Sequence, residues 1–178
     1  MEIYLDSAIK RFAYYKMLGE QTFEQLNDAD LFWHFNDESN SIAIIIKHLS
    51  GNMLSRWSDF LNADGEKPWR KRDAEFEDEI NTRAELLNIW SEGWECLFAA
   101  LSSITPDDWQ KTIYIRNEPH SVVDAINRQL AHYPYHVGQI VFIGKMIAGS
   151  KWKSLSIPKG ESETFNAAKF SAPNDTIK

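Results

Sequence analysis

The stretch His132-Tyr133-Pro134-Tyr135-His136-Val137-Gly138-Gln139 decides how the rest of this chain is read. It lies inside an apolar-periodic segment that opens at Ser121-Val122-Val123-Asp124 and closes at Ala148, before Gly149, which predicts one long helix. Side chains four residues apart share a helix face, with Cβ atoms about 5–6 Å apart. His132 and His136 therefore stand one turn apart on one side. Pro134 lies between them, removes a backbone donor and crowds the carbonyl of Leu130. A kink or local loosening is expected there.

Working outward, Ser39-Asn40-Ser41 is a helix-start signal for a segment over 41–62. Ile42, Ile45, Ile46, Leu49, Met53, Trp57 and Phe60 form its apolar stripe. His48 lies on the edge of that stripe, and Asn52 and Arg56 continue its row. A first helix is expected over 4–26, where Leu5, Ile9, Phe12 and Leu18 recur at helical spacing. Gly19 costs that helix about 1 kcal/mol relative to alanine. Thr82-Arg83-Ala84-Glu85 fits a capping box. It opens a helix to about 104, with Leu86, Ile89 or Trp90, Trp94, Leu97, Phe98 and Leu101 facing inward.

Four long helices without a convincing sheet predict an all-α four-helix bundle. Residues 1–170 read as one domain and 171–178 as a flexible tail. The second connection, 62–81, is long and broken by Gly65 and Pro68. It reads as a solvated loop anchored by Trp69, with a lid built on Trp69 and Arg70-Lys71-Arg72 as the alternative. Lys111-Thr112-Ile113-Tyr114-Ile115 alternates like a strand and is expected to be an extended connector or a small hairpin. After Lys151, Trp152, Leu155 and Ile157 are expected to pack the start of the C-terminal segment on the bundle.

Bulk properties narrow the function. The length of 178 residues suits one domain with a sizeable core, and seven Trp, ten Phe and six Tyr suit an aromatic interior or groove. A net charge of −7 argues against nucleic acid or an anionic membrane as the main partner. No apolar run approaches the roughly 20 residues needed to span a bilayer, and no basic, apolar leader stands at the start, so a cytoplasmic location is expected. The single cysteine, Cys96, forms neither an intramolecular disulfide nor a thiolate zinc site, and reads as a buried, inert thiol.

The chain has five histidines. His34 and His120 fall in connectors and read as surface or capping residues. His48 is the only other histidine placed mid-helix beside an apolar stripe, so it is the expected third partner of His132 and His136. Three imidazoles leave coordination positions open to water or substrate, the pattern of a catalytic rather than a structural site. Zn²⁺, Ni²⁺ and Fe²⁺ all suit such ligands. Asn52 reads either as a hydrogen-bond partner of a bound ligand or as a packing residue. Arg56 reads as a carboxylate anchor or a surface salt bridge. Gln139, near one turn past His136, is placed to support that ring. Tyr133 and Tyr135 read as packing groups.

Lys47-His48-Leu49-Ser50-Gly51-Asn52, together with the 132–139 stretch, resembles the DinB-like family of metal-binding four-helix bundles. The similarity runs from the first helix to about residue 170. Ser39-Asn40-Ser41-Ile42-Ala43, Asp64-Gly65-Glu66-Lys67-Pro68-Trp69 and Ser154-Leu155-Ser156-Ile157-Pro158-Lys159-Gly160 resemble a subgroup with no assigned function. The resemblance maps the family's histidine triad onto His48, His132 and His136. It implies the DinB-like topology, one divalent metal per chain and a homodimer. Some relatives are enzymes that use low-molecular-weight thiols such as mycothiol or bacillithiol. The implied function is a metal-dependent thiol S-transferase acting on a small molecule. The alternatives are a metal-hydroxide hydrolase and a non-catalytic stress-response dimer that binds metal or a small ligand.

Overall fold

The computed structural model describes residues 1–77 and 80–171. The protein is mostly helical, with one small two-stranded sheet. The elements are α1 (Glu2–Phe23), α2 (Ile42–Trp57), α3 (Arg83–Ser102), β1 (Thr112–Ile115), β2 (Glu118–Ser121), α4 (Val122–Ala148) and α5 (Ser162–Ser171).

Side-chain caps set three of the starts. Ser41 Oγ accepts from the Ile44 amide at 3.2 Å, Thr82 Oγ1 from Glu85 at 3.2 Å and Ser121 Oγ from Asp124 at 3.1 Å. The expected end of α2 at 62 is too late. Ser58 turns extended and Asp59 takes a φ of 51°, which closes the helix at Trp57. Helix α4 runs as α-helix through Pro134 and ends where Gly149 adopts a φ of 54°.

Helix α2 packs most extensively on α3, and α1 on α4, with further contacts between α2 and α4 and between α1 and α3. Phe12, Trp94 and Tyr133 meet at the centre, with ring centroids 5.8–6.5 Å apart. Gly19 has a use that its helix penalty hides. A Cβ there would fall 2.6 Å from Cζ2 of the Trp90 indole. The glycine lets that buried ring lie against α1.

The long connection is stitched to its surroundings. Asp64 accepts the amide N–H groups of Arg116 at 2.9 Å and Asn117 at 2.7 Å, and the Gly65 amide donates to the Tyr114 carbonyl at 2.8 Å. Those contacts dock it on the antiparallel hairpin of β1 and β2. Arg116 and Asn117 form the hairpin turn, both at positive φ (55° and 60°). Trp69, expected to be the anchor, is 56% exposed. The anchor is Arg70, whose side chain is 2% exposed.

At the C-terminal end, the backbone of Lys153 exchanges hydrogen bonds with Gln25. The indole of Trp152 lies close to Gly144 of α4. Helix α5 was not foreseen, and it buries no residue. The expected flexible tail, beyond Ser171, lies outside the described residues. No described helix is long and apolar enough to cross a membrane.

Candidate metal centre

Helices α2 and α4 bring His48, His132 and His136 together. Their ring centroids are 5.5 Å (48–132), 4.9 Å (48–136) and 4.8 Å (132–136) apart. One nitrogen from each ring lies within 4.8 Å of the other two. The other nitrogens are all engaged. Nδ1 of His48 donates to Glu75 Oε2 at 2.9 Å, that of His132 to Gln129 Oε1 at 3.3 Å, and that of His136 to Gln139 Oε1 at 3.0 Å.

These partners set the tautomers. Carboxylate and amide oxygens only accept, so each Nδ1 carries the proton and each Nε2 keeps its lone pair. Nε2 of His132 and Nε2 of His136 then face each other at 3.1 Å. Two lone pairs at that distance repel unless a cation lies between them. A shared ion at the usual metal–nitrogen distance of about 2.0–2.1 Å spans the gap. The donor set therefore fits a divalent metal, and the carboxylate and amide oxygens behind the rings are the support such ligands need.

Glu75 is itself held on two sides. Arg70 forms a fork onto it, Nε to Oε1 at 2.7 Å and Nη2 to Oε2 at 2.9 Å. Gly51 makes room on α2, since a Cβ there would sit 2.4 Å from Glu75 Oε1. Phe76 stacks on the His48 ring at 5.1 Å.

The electrostatics favour the neutral form of His132 and His136. Burial, then the neighbouring His136 and His48 and the charges of Arg56 and Arg70, pushes His132 down to about 3. Burial also lowers His136, against the opposing effect of its bond to Gln139. Burial raises the Glu75 carboxyl, but hydrogen bonds from His48 and Arg70 and the Arg70 charge outweigh it and hold the group below its ordinary range.

Other expected residues land as follows. Asn52 is buried, lines the cavity beside the histidines and accepts from the Tyr133 hydroxyl at 3.1 Å. That hydroxyl in turn accepts from Trp57 Nε1 at 2.9 Å. Arg56 is not on the surface. It is buried, donates to the Gly65 carbonyl and contacts Glu66 Oε2 at 3.2 Å. Tyr133 packs in the core, but Tyr135 is 63% exposed. His34 donates to the Ser39 carbonyl and His120 pairs with Asp124, both away from the triad. Cys96, expected to be buried, is half-buried, and desolvation raises its thiol.

Sequence reasoning missed Glu75, Arg70 and Gln129. Gln129 had a usable signal, since it precedes His132 by three residues just as Gln139 follows His136 by three. Glu75 had none, because it lies 27 residues from His48 in a non-periodic segment.

A mostly helical protein with three imidazoles gathered from two helices defines the class to which this chain belongs. More narrowly, the chain belongs to a DinB-like family described as "Protein of unknown function (DUF1572)", whose model matches residues 1–161. That match includes the three histidines and Glu75 and stops just before α5. No curated protein and no solved structure matches the chain.

Proposed function

We propose that this protein is a metal-dependent enzyme of the thiol S-transferase kind, acting on a small electrophile in the cytoplasm. In this reading its helices form a four-helix bundle of DinB-like topology that pairs as a homodimer. His48, His132 and His136 hold one divalent ion, Zn²⁺, Ni²⁺ or Fe²⁺, and a low-molecular-weight thiol is the co-substrate. One observation carries the reading. Three Nε2 lone pairs, each fixed by an oxygen on the opposite ring nitrogen, border a cavity of about 350 Å³.

A divalent ion held there would supply Lewis acidity and lower the pKa of a thiol or water. The chain's own residues do the rest. Glu75, Gln129 and Gln139 orient the rings. Burial and the Arg56 and Arg70 charges keep His132 unprotonated across the neutral range, so its nitrogen stays available. Asn52, held by Tyr133, presents its amide beside the triad. Phe142 and Phe35, 64% and 67% exposed around an apolar groove, support the homodimer.

The test is turnover of a reactive acceptor by metal-loaded protein with several thiols. Thiol-dependent loss of acceptor is expected. Thiol-independent hydrolysis would move the reading to a hydrolase, and no turnover at all would leave a ligand-binding protein.

A further inference from the structure

The cavity beside the triad is lined by Arg56, Arg70, Arg72, Arg116 and Arg128, and among the described residues no carboxylate lines it. Among the described residues, Glu66 and Glu75 alone form ion pairs with these five guanidinium groups, and Asp64 adds a charge near Arg56. Glu66 meets Arg56 at 3.2 Å, Arg116 at 3.2 Å and Arg70 at 3.7 Å, while Glu75 is taken by Arg70 and His48. Among the described residues, the side chains of Arg72 and Arg128 have neither an ion pair nor a hydrogen bond, and Arg56 Nε is buried without a partner. A chain of net charge −7 thus gathers uncompensated positive charge in one concave place.

The helices order these groups. On α2, His48, Asn52 and Arg56 succeed one another at four-residue steps, and on α4 so do Arg128, His132 and His136. The cavity therefore has an imidazole end and a guanidinium end. At 1.5 Å per residue, four to eight residues separate the two by about 6–12 Å along the helix axes. Structural ion pairing accounts for Arg70 and most of Arg56, but it leaves Arg72 and Arg128 unused. Guanidinium forks match carboxylate and phosphate oxygens.

From this we infer that the site takes a small molecule with an anionic oxygen-bearing group, carboxylate or phosphate. That group is held by Arg128, Arg72 and the Arg56–Arg116 wall, and its reacting atom reaches the histidines about 6–12 Å away. The inference rests on the histidine site being the reaction centre, and it names the substrate class of that site.

The test separates the two. Metal-free full-length protein is titrated calorimetrically with pyrophosphate and, separately, with succinate at constant ionic strength. Metal stoichiometry is measured in parallel by elemental analysis. Saturable one-site binding with a Kd below about 1 mM is expected for at least one probe, and the tighter probe identifies phosphate or carboxylate as the recognised group. Arg72→Gln combined with Arg128→Gln changes two exposed side chains, so the fold is retained. It should weaken binding at least about tenfold while leaving metal content unchanged. Absence of saturable binding by both probes, or equal affinity in the double variant, overturns the anion site. Because that arm contains no metal, its failure leaves the metal reading intact, and a failed metal stoichiometry leaves the anion result intact.

Discussion

Two cavities lie along the α2–α4 seam, and they are chemical opposites. The one beside the triad, about 350 Å³, is walled by imidazoles, guanidiniums and amides. The other, about 460 Å³, is walled by Trp33, Phe35, Ile45, Phe142, Ile143 and Met146. Gln139 borders the second cavity while its amide oxygen supports His136 in the first. Polarity therefore switches along the helices rather than around them. On α4 it is polar from Arg128 to His136 and apolar from Phe142 to Met146. On α2 it is apolar at Ile45 and polar from His48 to Arg56. The contrast teaches that a single helix pair can hold a polar, imidazole-lined cavity and an apolar groove side by side.

The contrast can be broken first at the imidazoles. His132→Ala should lower bound divalent metal from about one ion per chain to less than about a tenth, by elemental analysis of untagged protein, with helical circular dichroism unchanged. Full occupancy in that variant would remove His132 from the centre. Glu75→Gln should weaken metal binding about 10–100-fold in competition with a chromogenic chelator.

Glu75 also sets an acid limit. Its folded pKa is held below the ordinary carboxyl value, so the carboxylate contributes stability above that ordinary value, about 4.3. The contribution disappears as pH falls through the lower folded value. Urea unfolding should therefore show a larger loss from pH 7 to pH 3 in the native protein than in Glu75→Gln.

Gly51→Ala should act more gently. The added methyl displaces a pinned side-chain carboxylate rather than backbone, so metal affinity should fall about tenfold with little change in the urea midpoint. Phe142→Asp, on the apolar side, should leave metal content unmoved and shift the light-scattering mass from dimer to monomer. A loss of metal in that variant would show that the two chambers are coupled through Gln139.

Much of this arrangement was legible in the residues, for definite reasons. His132, His136 and Gln139 share a helix, so a spacing rule relates them. His48 stood out because few histidines lie mid-helix. The four long helices announced themselves by apolar periodicity, and Ser41, Thr82 and Ser121 marked their starts. Glu75 and Arg70 escaped because their partners are reached through chain folding, and no local rule relates a connector carboxylate to a ring 27 residues away. The overrun of α2 had a different cause. Phe60 continued the stripe, but Ser58 turns extended and Asp59 takes a positive φ, so the helix has already ended.

Arg116 is the one guanidinium of the polar cavity carried by a hairpin tip, and that tip is fastened to Asp64 by main-chain amides and to Glu66 by the Arg116 side chain. Amide contacts are indifferent to which side chain sits above them. A change at 116 would therefore remove the one fastening that depends on its side chain, the contact to Glu66 Oε2, while the amide bonds to Asp64 stay in place. On the proposed function, position 116 is thus a place to alter what the cavity admits while the histidine wall stays as it is.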